Sequence, residues 1–125
     1  MPSQYKVLVV DDDENIRSAF GDLLKREGCS MIPAASTVEA LEKLMHHHVD
    51  LLITDVRLKE QSGATLLLQV KAQQPNLPII VITGYPNSIS EHDAKVFGAQ
   101  YFFVKPLELT MIREAIRSCL QVPRG

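Results

Sequence analysis

The chain has 125 residues, with 13 Lys+Arg against 15 Asp+Glu and a formal charge of −2. That is the length of one domain, enough to bury one core, and its charge balance speaks against a nucleic-acid or anionic-membrane binder, since both need a basic patch. Two cysteines, Cys29 and Cys119, imply neither a disulfide framework nor a zinc knuckle; no apolar run approaches the ~20 residues of a membrane span, and the first residues lack the basic-then-apolar build of a signal peptide, so a soluble cytoplasmic protein is expected.

Apolar runs alternate with helical patterns along the chain. Lys6-Val7-Leu8-Val9-Val10 reads as a first strand, ending in Asp11, Asp12 and Asp13. From Glu14 to Glu27 the residues Ile16, Ala19, Phe20, Leu23 and Leu24 form the stripe of an amphipathic helix, and Gly28 follows where a helix ends. Met31-Ile32-Pro33-Ala34 is a weak second strand that its proline confines to a sheet edge. Ser36 and Glu39 make a capping box, and Val38, Leu41, Leu44 and Met45 continue a helical stripe. Asp50 to Asp55 is the third strand, and a loop with Gly63 leads to a helix through Leu66, Leu67 and Val70. Pro78 to Thr83 is the fourth strand, stopped by Gly84; residues 88–97 make a short helix with a thin apolar face. Gln100 to Val104 is the fifth strand, stopped by Lys105-Pro106, and Leu109, Ile112, Ile116, Cys119 and Leu120 mark the last helix.

Five β-α units in one domain predict an α/β fold, a parallel sheet with helices on both faces. The first, third and fourth strands are continuous apolar runs and belong in the centre, whereas the proline-bearing second belongs outside. The doubly wound order 2-1-3-4-5 of the flavodoxin-like three-layer sandwich meets that constraint. Such folds bind ligands beyond the carboxyl ends of the strands, at the switch point between the first and third. The residues there are Asp11 and Asp12, then Asp55, Thr83 and Lys105. Clustered carboxylates repel one another unless a cation neutralises them, and their hard oxygens suit Mg²⁺. A lysine and a hydroxyl opposite them could hold phosphoryl oxygens, and an aspartate beside the metal is a plausible nucleophile. Each residue alone has a blander reading as a turn or cap; Asp13 in particular fits an N-cap and stays outside the site. The ordered set, one group after each successive strand, points to phosphoryl chemistry.

These segments, Val7-Leu8-Val9-Val10-Asp11-Asp12-Asp13, Leu52-Ile53-Thr54-Asp55-Val56-Arg57-Leu58, Ile82-Thr83-Gly84 and Val104-Lys105-Pro106, give a chain that resembles the response-regulator receiver domain of two-component signalling, with a core over residues 6–121. The resemblance implies that Asp55 accepts a phosphoryl group from a sensor histidine kinase. It implies Mg²⁺ held by Asp12, Asp55 and the backbone carbonyl of Arg57, with Asp11 acting largely through water. Thr83 would bond the phosphoryl group, Lys105 would pair with its oxygen, and the Lys105–Pro106 bond would be cis. Phe102 stands at the switch aromatic, which turns inward as Thr83 moves. The face of the fourth helix, fifth strand and fifth helix would then control an output domain or partner, with homodimerisation on phosphorylation and transcriptional regulation as the expected outcome. The large residues two after Asp55 and Thr83, Arg57 and Tyr85, are expected to slow loss of the phosphate. Lys59-Glu60-Gln61-Ser62-Gly63 departs from the family's usual proline-led turn. The resemblance also implies a signalling receiver, either alone or as the first domain of a longer regulator, and not an enzyme acting on an outside substrate.

Other readings remain open at this point. A small Mg²⁺-dependent phosphatase working through an aspartyl phosphate would want a general acid two residues after Asp55, where Arg57 stands, and a cap for its substrate. A flavodoxin-like cofactor binder would want a glycine- and hydroxyl-rich loop after the first strand, where three negative charges would repel a phosphate. An EF-hand lacks its loop glycine and terminal glutamate. His46-His47-His48 share no helical face and read as a solvated helix end; Cys119 reads as core.

Overall fold

In a computed structural model, described for residues 4–56, 63–84 and 90–120, the elements follow the order β1 (Lys6–Val10), α1 (Glu14–Arg26), β2 (Ser30–Ala34), α2 (Thr37–His46), β3 (Leu51–Asp55), α3 (Gly63–Gln73), β4 (Ile79–Thr83), α4 (Glu91–Val96), β5 (Tyr101–Val104) and α5 (Leu109–Leu120). All pairings are parallel and the sheet order is β2-β1-β3-β4-β5, the predicted arrangement. The three central strands are largely apolar and almost wholly buried because both their faces are covered. Side chains alternate between two cores. Leu8, Val10, Leu52, Ile79 and Val81 pack with α2, α3 and α4. Val7, Val9, Leu51, Ile53, Ile80 and Ile82 pack with α1 and α5.

Local chemistry sets the ends of the helices. Asp13 caps α1 by accepting the Asn15 N–H at 2.9 Å. Ser36 Oγ accepts the Glu39 N–H at 3.1 Å, while Glu39 reaches back to the N–H of Ala35, one residue before the cap. Helix α1 ends in a Schellman motif: Gly28, at φ +76°, donates to the Lys25 carbonyl and Cys29 to that of Leu24. Helix α4 ends the same way, on Gly98 at φ +109° with Ala99 donating to Ala94. The aliphatic stem of Lys71 on α3 crosses Gly98 so closely that a Cβ there would stand 2.9 Å from its Cδ.

Three expectations about side chains need correction. In α2 the buried line is Thr37, Ala40 and Leu44, with Leu41 half-buried; Val38 and Met45 are 62% and 78% exposed. Ala40 lets α2 lie close to the sheet, and Val38 and Met45 stand about 100° round the helix from that contact line. Leu109, expected in the stripe of α5, is 58% exposed at its first residue, and Cys119 is only half-buried at its end. His46, His47 and His48 are exposed, as a solvated helix end should be.

Pro33 sits on the sheet edge in a particular register. Ser30 donates to the Tyr5 carbonyl and Ala34 accepts from Asp11, so Ser30, Ile32 and Ala34 turn their main-chain groups toward β1. Pro33 falls on the alternate, outward set, where its missing N–H breaks no ladder bond.

Candidate functional site

The carboxyl ends of β1, β3, β4 and β5 carry Asp11, Asp55, Thr83 and Lys105 to one end of the sheet. Asp11 and Thr83 are fully buried and Asp55 is 4% exposed. Asp11 is held on every side. Its N–H donates to Ala34 O at 3.1 Å. Its Oδ1 accepts the Asp13 N–H at 2.9 Å, and its carbonyl accepts from Arg17 Nη1 at 2.6 Å. Its Oδ2 accepts from Lys105 Nζ at 2.9 Å, and the same ammonium donates to Asp55 Oδ2 at 2.9 Å. Lys105 therefore bridges the ends of β1 and β3 from a position just past β5.

The backbone explains how Lys105 gets there. Thr83 pairs with Val104, and the Lys105 N–H donates to the Thr83 carbonyl at 2.7 Å. The Lys105 stem then runs over Gly84, where a Cβ would stand 3.6 Å from its Cδ. The Lys105–Pro106 peptide that follows is cis.

Burial pushes the Asp11 carboxyl above its ordinary range, against the opposing pull of the Asp13 N–H and the Lys105 ammonium. Burial also works against the charge on Lys105, but the hydrogen bonds and charges of Asp11 and Asp55 outweigh it and raise its pKa. Two buried carboxylates share one ammonium here. Such groups are strongly destabilising when one partner is removed, because a buried charge is left unpaired.

The remaining predicted residues divide by position. Asp12 is half-buried beside Asp11. Phe102 does not join the carboxylate cluster: it is half-buried and packs on the core under α2, α3 and α4. Arg57 and Tyr85 lie outside the described residues. The ammonium between two carboxylates marks this as a place built for positive charge, and its hard oxygen donors fit Mg²⁺, which takes one or two carboxylates and keeps several waters. Among the described residues no three His, Cys, Asp or Glu side chains form a metal-holding group by themselves, so a metal on Asp11, Asp12 and Asp55 would need waters or main-chain oxygen as well. Arg17, which secures the Asp11 carbonyl, was not singled out from the sequence. The bond runs to a backbone atom, and no residue pattern marks it.

An apolar groove of about 280 Å³ adjoins the site, lined by Ile16, Phe20 and Leu23 of α1, by Pro106 and Leu107, and by Ile112 of α5. Lys105 is the one charged side chain among its lining residues.

Comparison with known proteins agrees with this arrangement. Residues 7–117 match the family model of the response regulator receiver domain. The chain is 32% identical over 118 residues to the transcriptional regulatory protein GlrR of Escherichia coli (strain K12), covering 92% of this chain and 26% of that protein. It is 29% identical over 115 residues to sporulation initiation phosphotransferase F of Bacillus subtilis (strain 168), covering 92% of this chain and 93% of that one. The chain thus spans about a quarter of the length of GlrR and nearly all of the second relative. The crystal structure of the response regulator TrrA of Thermotoga maritima, in complex with Mg²⁺-BeF, is similar with a TM-score of 0.85 and 27% identity, over 94% of this chain and 100% of that one.

Proposed function

This chain belongs to the response regulator receiver family, and from that membership we propose that it takes a phosphoryl group onto Asp55 from a sensor histidine kinase and passes the signal to an output domain or partner protein. The observation that carries this reading is the Lys105 ammonium, 2.9 Å from the carboxylates of both Asp11 and Asp55 at the strand ends. Two buried carboxylates held by one ammonium support a reading of one as the nucleophile and the other as a metal ligand.

In the proposed reaction an Asp55 carboxylate oxygen attacks phosphorus. The P–N bond of the donor phosphohistidine breaks, and the imidazole leaves with the electron pair. Asp11, Asp12, Asp55 and the Arg57 carbonyl would hold Mg²⁺, whose charge would offset that of the transferring group. Lys105 meets the phosphoryl oxygens from the β5 side, and the Thr83 hydroxyl meets them from β4. Movement of Thr83 toward the phosphoryl group leaves space that Phe102 fills, altering the α4-β5-α5 face. That face contacts the output domain or partner, or a second copy of the chain. GlrR and ZraR of Escherichia coli are transcriptional regulatory proteins of which this chain covers 26%, which favours transcriptional control as the output. TrrA, with Mg²⁺-BeF bound, supports the same metal and a phosphoryl-like ligand here.

Incubation with acetyl phosphate and Mg²⁺, read by intact-protein mass spectrometry, tests the proposal. The natural chain should gain one phosphoryl group and Asp55→Asn none. Equal labelling of the two, or none of the natural chain, would sink it.

A further inference from the structure

Resting on the receiver reading, we infer that Arg17 is a positioning residue for the divalent ion: by holding the Asp11 carbonyl it fixes the peptide from which Asp12 projects, and so sets where that carboxylate can meet the metal.

Two peptide planes meet at Asp12, and both are held from outside it. In the plane between Asp11 and Asp12, the carbonyl oxygen accepts from Arg17 Nη1 at 2.6 Å. In the plane between Asp12 and Asp13, the N–H donates to Asp11 Oδ1 at 2.9 Å. Each peptide is a rigid unit. Holding both leaves Asp12 little freedom about its Cα, and its side chain departs in one direction. The rest of the turn is anchored around these planes. The Asp11 N–H donates to the Ala34 carbonyl at 3.1 Å, the Asn15 N–H to Asp13 Oδ1 at 2.9 Å, and the Arg17 N–H to the Asp13 carbonyl at 3.2 Å. Arg17 therefore joins the first turn of α1 to the turn through its main chain, and to the end of β1 through its side chain.

The two clamps on Asp12 are not equivalent. The second uses a carboxylate oxygen of Asp11, itself an expected metal ligand whose other oxygen accepts from Lys105. The first uses a main-chain oxygen and leaves every carboxylate oxygen available. Its donor is a guanidinium, which stays charged at any pH in reach of the folded chain, and such charge-assisted bonds are roughly twice as strong as neutral ones. Arg17 is also half-buried. On charge alone, a cation this close to Asp11 would weaken the binding of a second cation. Positioning acts in the opposite direction, so the sign of the Arg17 effect separates the two.

Calorimetric titration with MgCl₂, without any phosphodonor, reads that sign. Arg17→Ala should bind the ion about tenfold more weakly than the natural chain, the loss expected when a group that orients a metal ligand is removed. Arg17→Met should do the same, and both replacements are strong helix formers that suit α1. A folded variant that binds the ion as tightly as the natural chain, or more tightly, overturns the inference. A double-mutant cycle then asks whether Arg17 acts through Asp12. In an Asp12→Asn background, Arg17→Ala should add less than a twofold further loss. The same tenfold loss in both backgrounds overturns the inference, because a general loosening of the turn would act with or without the Asp12 carboxylate. A natural chain that neither binds Mg²⁺ nor takes label from acetyl phosphate fails the receiver reading and this inference together. Normal binding and labelling with no Arg17 effect fails the inference alone.

Discussion

Helices α1 and α5 press Phe20, Leu23, Leu24, Ile112, Ala115, Ile116 and Leu120 against the sheet, whereas α4 on the opposite layer buries only Ala94. Each large aliphatic in the first group contributes about 1.5–3 kcal/mol by leaving water. The α1–α5 layer is also tied across its far end, where Arg117 Nε and Nη2 donate to the two Glu27 carboxylate oxygens at 2.5 and 3.2 Å. Helix α4 has in their place an N-cap from Ser90, a Schellman ending on Gly98 and an exposed Glu91–Lys95 pair. Exposed pairs of that spacing contribute about 0.3–0.5 kcal/mol. The contrast teaches where this fold can move cheaply. A segment held by caps shifts at lower cost than one held by a core, and α4 is also the element beside which Phe102 packs.

Four substitutions and one thiol measurement would break or sharpen that contrast, in descending size. Ile116→Ala should cost about 2–5 kcal/mol in urea melts, since it opens a cavity in the tighter layer. Gly98→Ala should cost about 1–3 kcal/mol through its φ of +109°, and native-state hydrogen exchange should place that loss first in α4. Thr37 Oγ1 is buried with no hydrogen-bond partner among the described residues, so Thr37→Val should stabilise by about 1 kcal/mol. Val96→Ala, at a residue 67% exposed, should stay within about 0.5 kcal/mol; a loss matching that of Ile116→Ala would erase the distinction between the layers. Finally, burial pushes the Cys119 thiol from 9.0 up to about 11. Its folded pKa lies above its unfolded one, so the folded state disfavours the thiolate and this contribution to stability falls as pH rises from 9.0 toward about 11. Iodoacetamide should accordingly alkylate Cys119 more slowly in the folded chain than in urea.

The sheet order and the carboxylate–lysine cluster were legible in the sequence because each follows from several signals that agree. A proline in the second strand forces that strand outward, and polar residues stopping apolar runs mark the strand ends. Side-chain direction was less legible. Periodicity favoured Val38 and Met45 for their hydrophobicity, but the close approach that Ala40 permits turned the contact line to Thr37 and Leu44. The Glu27–Arg117 pair left no mark: the two lie 90 residues apart, and either alone reads as a solvated charge. The Arg17 bond to the Asp11 carbonyl was hidden for the same reason, since its acceptor belongs to every residue type. The positive φ of Gly98 could have been suspected from a glycine just past a short helical pattern.

Pro33 has one more consequence. A neighbouring molecule that tried to lengthen the sheet beyond β2 would find no amide hydrogen at the fourth of the five residues it had to join. Growth by strand addition is thereby discouraged on that border, and open ladder positions for an incoming extended chain lie on the opposite border, along Tyr101 to Val104.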